Sequence, residues 1–213
     1  MPSRYVIREF IQNATYHIFN RGVERRVIFL DEMDYKIFLY YLSIYTLPSS
    51  DLVIKYPNLP LRLQAKNLHG EIDIYNFCLM PNHFHLLIHQ KNPDAVTKLM
   101  KQITNAYTFY FNQKYKRVGG LLQGRYKAVR IVTDEQLVQV SRYIDLNPVS
   151  AGIVKGSELY RWSNFKDLET NKLCNTNYIL DYFKNFGEYK KFVEDNKDYR
   201  RSIEEIEPLL LED

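Results

Sequence analysis

Two apolar segments separated by a tight turn constrain the fold of this chain more than any other feature. Residues 72–80 and 84–89 are rich in apolar, β-branched and aromatic side chains, and Pro81-Asn82 between them is typical of a turn. Strands joined by so short a connection pair antiparallel. The pattern therefore predicts a β-hairpin around which the rest of the chain must fold.

One further strand and one helix are predicted before this hairpin. Residues 16–19 have the composition of a strand, and Asn20-Arg21-Gly22 after them predicts a turn or bulge. Asp31 is a suitable N-cap for a helix of about fifteen residues. Residues 47–69 contain three prolines and little periodicity, which predicts a loop with room for a short strand at residues 52–55.

After the hairpin the pattern returns to helices, with one more strand between them. Residues 94–116 carry apolar side chains at helical spacing, and residues 126–132 have the composition of a strand. Thr133 with Gln136 resembles a capping box that opens a helix, which Pro148 is expected to close. From about residue 175 the chain predicts short helices.

This order of elements predicts an α+β fold of the ferredoxin-like (RRM-like) kind. Strand, helix, two strands, helix, strand and helix give an antiparallel sheet, and we expect the helices to pack on one side of it. We place a core domain over residues 1–165. Residues 166–213 then form a C-terminal helical extension with an acidic tail.

Charge is distributed unevenly along the chain, although the net charge is only +4. Residues 194–213 carry eight acidic side chains, so we do not expect them to contact DNA. Residues 113–130 are basic without a single acid, which is typical of a nucleic-acid backbone site and also of a solvated surface loop. The stretch is interleaved with the potential stacking rings of Tyr115 and Tyr126, and its basic residues are Lys114, Lys116, Arg117, Arg125, Lys127 and Arg130.

Cysteine content and hydropathy predict a soluble protein of the cytoplasm. The two cysteines, Cys78 and Cys174, are too few for a disulfide framework, and the chain has no C-x-x-C pair typical of a zinc site. The first fifteen residues lack the apolar segment of a signal peptide. No apolar run is long enough for a membrane span.

A histidine pair lies on the second strand of the predicted hairpin. Side chains of a strand alternate between its faces, so His83 and His85 leave the sheet on the same side. Two converging neutral imidazoles are a common beginning of a divalent-metal site. Taken alone, the pair is also compatible with a purely structural role.

The predicted helix before Pro148 brings an aromatic hydroxyl and an amide to one face. Tyr143 and Asn147 are four residues apart, and Gln139 precedes them at the same spacing. An asparagine oxygen is a hard ligand that would complete a two-nitrogen, one-oxygen set for Mg²⁺ or Mn²⁺, and Tyr143 is a candidate nucleophile toward a phosphodiester. The alternative is that Asn147-Pro148 simply ends the helix.

Three motifs of the chain, in this order, resemble the single-tyrosine transposases of the HUH superfamily. They are Tyr16-His17-Ile18-Phe19-Asn20-Arg21-Gly22, Met80-Pro81-Asn82-His83-Phe84-His85-Leu86-Leu87-Ile88 and Tyr143-Ile144-Asp145-Leu146-Asn147-Pro148-Val149-Ser150-Ala151-Gly152. The most similar group is the REP-associated tyrosine transposases with their insertion-sequence relatives. The likeness extends over residues 5–165.

This resemblance implies roles for particular side chains. His83 and His85 correspond to the HUH metal ligands, Tyr143 to the nucleophile, and Asn147 to a third polar ligand that is often glutamine in the family. Arg21 is implied to help hold DNA, as is His17, although both residues also fit a paired polar cluster at a strand end.

The resemblance also implies an activity and its partners. The expected activity is nicking and rejoining of single-stranded or hairpin DNA through a 5′-phosphotyrosine link with Mg²⁺ or Mn²⁺, by a monomer or a homodimer in a bacterial-type cell, associated with the nucleoid when bound to DNA. Two alternatives remain open at this point. One is a domesticated protein that binds nucleic acid without cutting it, and the other is a metal-dependent hydrolase in which water is the nucleophile.

Overall fold

A computed structural model describes residues 10–170 and 172–195 of the chain. The predicted acidic tail therefore lies outside the described residues from residue 196 onward. None of the helices in the described part is long and apolar enough to span a bilayer.

The described part of the chain contains four strands and seven α-helices, with two short 3₁₀ helices at Val23–Arg25 and Ser157–Leu159. The strands are β1 (Ala14–Arg21), β2 (Ile72–Met80), β3 (His83–Gln90) and β4 (Lys127–Ile131). The helices are α1 (Glu32–Thr46), α2 (Ser49–Lys55), α3 (Leu61–Gln64), α4 (Ala95–Lys114), α5 (Asp134–Ser150), α6 (Asn177–Leu180) and α7 (Phe186–Glu194).

The strands form one antiparallel sheet in the order β2-β3-β1-β4, which is a ferredoxin-like arrangement. The predicted α+β class, the hairpin and the Asp31 cap are confirmed. The Asp31 side chain accepts from the backbone N–H groups of Met33 and Asp34, and the Asp34 carboxylate accepts from the backbone N–H of Asp31. This capping box satisfies N–H groups that would otherwise lack partners at the start of α1.

Helices cover both faces of the sheet, so the prediction that they pack on one side is wrong. Tyr16, Ile18, Phe84 and Leu86 face a core shared with α1 and α4. Alternate residues of the same strands point to the other face, where α5, α6 and α7 enclose a second core around Leu87. The physical reason is that the second face of the sheet also carries apolar side chains, Leu87 of β3 with Tyr75, Cys78 and Met80 of β2, so this face has to be covered too.

Two local predictions were also wrong. Residues 52–55 belong to helix α2 rather than to a strand, because Pro48 and the polar Ser49-Ser50-Asp51 begin a helical turn and only Leu52 of this helix is buried. Helix α5 continues two residues past Pro148. The proline removes one backbone hydrogen bond of the helix, and its carbonyl accepts from the backbone N–H of Ile153 just beyond the helix at 2.9 Å.

A bulge in β2 turns two successive side chains toward α5. The pairing with β3 shifts between Ile74 and Asn76, which leaves Tyr75 as the extra residue. Tyr75 joins the core under α5, and the Asn76 amide also points at that helix, donating to Ser141 Oγ at 2.8 Å and to Asp145 Oδ1 at 3.0 Å. A regular strand would have directed only one of the two residues to this face.

The far edge of β2 is covered by the segment that follows α5. The backbone N–H of Leu79 donates to the Trp162 carbonyl at 2.9 Å, and Ser163 forms an antiparallel bridge with Cys78. The Trp162 ring stacks on Tyr35 of α1, with centroids 4.4 Å apart. These contacts fix the segment along the edge of the sheet.

The flank of α5 that faces away from β3 carries a buried polar network with the C-terminal extension. The Tyr189 hydroxyl of α7 donates to Asp145 Oδ2 and lies 2.8 Å from Ser141 Oγ. The Arg142 guanidinium is fully buried, donates to the carbonyls of Val193 and Asp195, and lies 4.5 Å from the ring centroid of Phe192. Helix α5 is therefore held by β2 on one side and by α7 on the other.

Burial raises the pKa of Asp145 to about 7, against which the hydrogen bonds from Tyr189 and Asn76 act only in part. The unfolded carboxyl ionises near pH 4, so between these values the folded state binds a proton that the unfolded state has lost. The wild type therefore loses stability as the pH rises through this range, and the loss is complete above pH 7.

We predict that Asp145→Asn removes this pH dependence, because the amide cannot ionise. The unfolding free energy of the variant minus that of the wild type should rise between about pH 4 and pH 7, by at most about 1.4 kcal/mol per pH unit, and stay level above that range. Urea unfolding at several pH values measures this difference. Asp181→Asn changes an exposed carboxyl and should leave the difference flat, and a flat result for Asp145→Asn would contradict the prediction.

Candidate active site

Strand β3 and helix α5 bring together the four side chains that the sequence singles out. His83 and His85 leave β3 on the face covered by α5, because residues one apart on a strand point the same way. Tyr143 and Asn147 are one helical turn apart on the flank of α5 that lies over β3 and β1. Ile144, between them in sequence, fills the core below.

Distances show that these side chains are in contact. His83 Nε2 lies 3.2 Å from Asn147 Oδ1, and the two histidine rings have centroids 4.9 Å apart. The Tyr143 ring meets His85 edge-on at 5.4 Å and His17 at 6.0 Å between centroids. Tyr143 is only 7% exposed, so packing holds its ring in a fixed position beside the histidines.

The environment of His83 keeps its imidazole neutral. Its Nδ1 lies 2.7 Å from Asn82 Oδ1, and the Asn82 amide nitrogen donates to the Arg25 carbonyl at 3.3 Å. Burial lowers the pKa of His83, the contact with Asn147 acts in the opposite direction, and the positive charge of Arg21 lowers the pKa further. A neutral ring can offer a lone pair, as a metal ligand must.

His85 is fully buried, and it too is neutral. Burial, with the neighbouring His83 and His17 as smaller causes, holds the pKa of His85 well below its ordinary value. Its Nδ1 lies 3.0 Å from His17 Nε2. Its Nε2 is buried with no hydrogen-bond partner among the described residues, which is unusual because buried polar atoms are nearly always paired.

These donor atoms fit a hard divalent cation. If His83 donates from Nδ1 to Asn82, its Nε2 and the Asn147 oxygen direct lone pairs toward each other at 3.2 Å, an arrangement that a positive charge stabilises. The partnerless Nε2 of His85 supplies a third donor atom. No group of three or more His, Cys, Asp or Glu side chains suited to a metal occurs in residues 10–170 and 172–195, so this candidate set depends on the amide oxygen of Asn147.

The predicted DNA-binding residues are divided between different parts of the molecule. Arg21 lies opposite His83 in the β1–β3 register, and its Nε donates to Gln123 Oε1 at 2.5 Å. Lys127 lies opposite Phe19 in the β1–β4 register, and the Lys127 Nζ is 6.0 Å from the centroid of the Phe19 ring. The Phe19 ring also contacts the rings of His17 and His85. Both basic side chains therefore lie on the side of the candidate site.

Two predicted DNA contacts do not reach this side. Arg130 pairs with Tyr16 and emerges on the face of α1 and α4. Lys114 is held by Asp31 and by the buried carboxylate of Asp34, with Nζ–oxygen distances of 2.7 and 2.8 Å. Its charge is already balanced within the fold, so a contact with DNA would compete with these ion pairs.

His17 lies in the interior rather than at the surface. Its side chain is fully buried and stacks on His85, with centroids 5.2 Å apart, so it offers no surface to DNA. The remaining three basic residues lie near the loop after α4. Lys116 follows the end of α4, the Arg117 guanidinium lies 5.7 Å from the Phe111 centroid, and that of Arg125 lies 5.4 Å from the Tyr126 centroid.

Sequence reasoning missed the partners of the site residues. Asn82 was interpreted only as a turn residue, and Asn76, Ser141, Asp145 and Tyr189 were not singled out at all. A signal was available for Asp145, because an acid between Ile144 and Leu146 on a helix with one buried stripe needs a partner. Nothing local in the sequence identifies that partner as Tyr189.

Comparison with known proteins agrees with the predicted resemblance. Residues 59–147 match the family described as IS200-like transposases, a segment that contains both histidines of β3 and ends at Asn147. No curated protein sequence matches the chain. The family match supports a transposase function.

A solved structure shows the same fold. A REP-associated tyrosine transposase bound to a REP hairpin aligns with a TM-score of 0.53 at 17% identity, covering 83% of this chain and 90% of that one. A structure from Deinococcus radiodurans, assigned provisionally as a transposase, aligns with a TM-score of 0.38 at 16% identity, covering 66% of this chain and 95% of that one. The first of these supports the four-stranded α+β architecture described above.

Proposed function

We propose that the protein nicks and rejoins single-stranded DNA as a transposase, with Tyr143 as the nucleophile. The observation that carries this proposal is the contact of one buried tyrosine with a metal-competent histidine pair, in which His85 lies 5.4 Å from the Tyr143 ring centroid to centroid. A protein that only binds DNA needs no such juxtaposition. The matched family segment spans both parts of the site.

The proposed chemistry exchanges one phosphate ester for another. The phenolic oxygen of Tyr143 attacks the scissile phosphorus, and the bond between phosphorus and the 3′ oxygen breaks. The phenol gives up its proton to solvent and the 3′ oxygen takes one, so a free 3′-hydroxyl and a 5′-phosphotyrosine result. Because the two esters have similar energies, attack by a second 3′-hydroxyl reverses the step and rejoins DNA without nucleotide hydrolysis.

The side chains around Tyr143 prepare this step. His83, His85 and Asn147 would hold Mg²⁺ or Mn²⁺, whose charge offsets the negative charge that develops on the phosphate oxygens. The rings of His85 and His17 fix the position of the Tyr143 ring edge-on. The clamp of α5 between β2 and α7 keeps Tyr143 and Asn147 over β3, so the reacting groups are placed before DNA arrives.

The DNA would lie along the exposed side of the site, over β1 and β4. Arg21 beside His83 and Lys127 over Phe19 are the basic side chains nearest to the reacting groups, and each can contact a phosphate. Single-stranded or hairpin DNA fits this proposal, since the structurally similar transposase was solved with a REP hairpin. Whether one chain acts alone or as a homodimer stays a prediction.

We predict that Tyr143→Phe abolishes the covalent adduct and leaves oligonucleotide affinity nearly unchanged, because the ring still packs between the histidines while the attacking oxygen is gone. Incubation of a labelled single-stranded oligonucleotide with protein and Mn²⁺, followed by a denaturing gel, detects the adduct. Tyr178→Phe removes the hydroxyl of an exposed tyrosine and serves as the matched control.

Each result of this experiment selects one function. An adduct in the wild type that is lost in Tyr143→Phe supports transesterification. Cut DNA without an adduct identifies a hydrolase, and bound but uncut DNA identifies a binding protein. An adduct that survives in Tyr143→Phe rejects the assignment of the nucleophile.

A second prediction concerns the DNA-binding side of the sheet. Lys127→Ala should weaken binding of single-stranded DNA and lower the slope of log affinity against log salt by about 0.7, the loss of one phosphate contact. Arg130→Ala, three residues along the same strand on the opposite face, should change neither quantity. Fluorescence anisotropy at several salt concentrations measures both, and equal effects of the two substitutions would contradict the proposed path of the DNA.

A further inference from the structure

We propose that Asn82 and His17 are positioning residues that fix the tautomers of the two candidate metal ligands. Asn82 would hold the proton of His83 on Nδ1, and His17 would do the same for His85. Both Nε2 atoms are then left with lone pairs directed toward the cation. This inference rests on the metal site of the proposed function and adds two residues to it.

The contact with Asn82 favours one tautomer of His83. The Asn82 amide nitrogen donates to the Arg25 carbonyl at 3.3 Å, so its Oδ1 is the atom that lies 2.7 Å from His83 Nδ1. An amide oxygen can only accept a hydrogen bond. Asn147 Oδ1, which lies 3.2 Å from His83 Nε2, is also only an acceptor, but the contact with Asn82 is the shorter of the two. The geometry therefore favours the proton on Nδ1, which leaves Nε2 of the neutral ring with a lone pair.

The buried contact between His17 and His85 has two possible directions, and the surroundings of His85 favour one of them. If His17 donates to His85 Nδ1, the proton of His85 lies on Nε2, a buried N–H with no acceptor among the described residues. If His85 donates from Nδ1 to His17, its Nε2 keeps a lone pair, and the His83 ring lies 4.9 Å away centroid to centroid. In this second arrangement a bound cation would accept the lone pair of His85 Nε2, so no buried N–H is left without an acceptor.

The contact of Asn82 with His83 and that of His17 with His85 have the same effect on the histidine ring, although the partner residues differ. In both, an atom that can accept a hydrogen bond lies within 3.0 Å of Nδ1. Such outer partners set the orientation and basicity of a metal-binding histidine. The buried position of His17, which excludes it from the DNA surface, is explained by this role.

Nuclear magnetic resonance of the full chain tests the tautomers directly. In protein labelled with ¹⁵N in its histidine rings, long-range proton–nitrogen correlation spectra distinguish Nδ1–H from Nε2–H. We expect the Nδ1–H form for His83 and His85 without metal and with Mg²⁺, with the signals assigned by single His→Gln variants. An Nε2–H form of either residue overturns its part of the proposal.

Metal affinity provides a second and independent measurement. Asn82→Ala and His17→Leu remove the acceptors, and each should weaken Mn²⁺ binding by about tenfold or more, as measured by electron paramagnetic resonance of free Mn²⁺. His17→Gln and Asn82→Asp each keep an acceptor oxygen, so these variants should retain most of the Mn²⁺ affinity of the wild type. His69→Ala alters an exposed histidine outside the site and should have no effect.

These readouts separate positioning from a purely structural role. If His17→Leu lowers the melting temperature while Mn²⁺ affinity well below that temperature is unchanged, His17 only fills the core and the proposal is rejected for it. The result is also distinguishable from failure of the proposed function. Absence of a Tyr143 adduct would reject DNA nicking, whereas the tautomers and Mn²⁺ affinities test the histidines without any DNA.

Discussion

The register of β3 between β1 and β2 is the constraint on which the rest of the structure depends. With Phe19 opposite His85 and Arg21 opposite His83, one set of β3 side chains enters the core under α1 and α4, and the alternate set faces α5. A slip of one residue would bury the imidazoles in the first core and turn Phe84 and Leu86 toward Tyr143. The hydrophobic pattern that stabilises the fold is thus the same pattern that orients the histidines, so folding and site formation are not separate events.

Helix α5 completes the site above β3, because three rows of its side chains have three different partners. The row containing Ile144 lies on the sheet, the row of Ser141 and Asp145 is bound by Asn76 and Tyr189, and the row of Tyr143 and Asn147 faces the histidines. A helix held only by its apolar row could rotate or slide. The buried hydrogen bonds on the second row prevent this, since breaking them leaves polar atoms unpaired in the core.

Much of the architecture could be predicted from the sequence because its signals are local. The hairpin around Pro81-Asn82, the cap at Asp31 and the spacing of Tyr143 from Asn147 each depend on neighbouring residues. The bulge at Tyr75, the contact of His17 with His85 and the docking of Tyr189 on Asp145 join residues far apart in sequence, and no local pattern encodes such pairings. The division of Lys127 from Arg130 is different, because residues three apart on a strand always point to opposite faces, and the basic stretch should have been divided accordingly.

The segment around Trp162 and Ser163 has a consequence for how the sheet can grow. By occupying the backbone N–H of Leu79 and the carbonyl of Phe77, it protects the C-terminal part of the β2 edge from pairing with a strand of another molecule. Extension of the sheet by strand addition is therefore directed to β4, the opposite edge, where Lys127 and Arg130 place positive charge on both faces. Two such edges would repel each other, so this fold resists continuous stacking of sheets from one chain to the next.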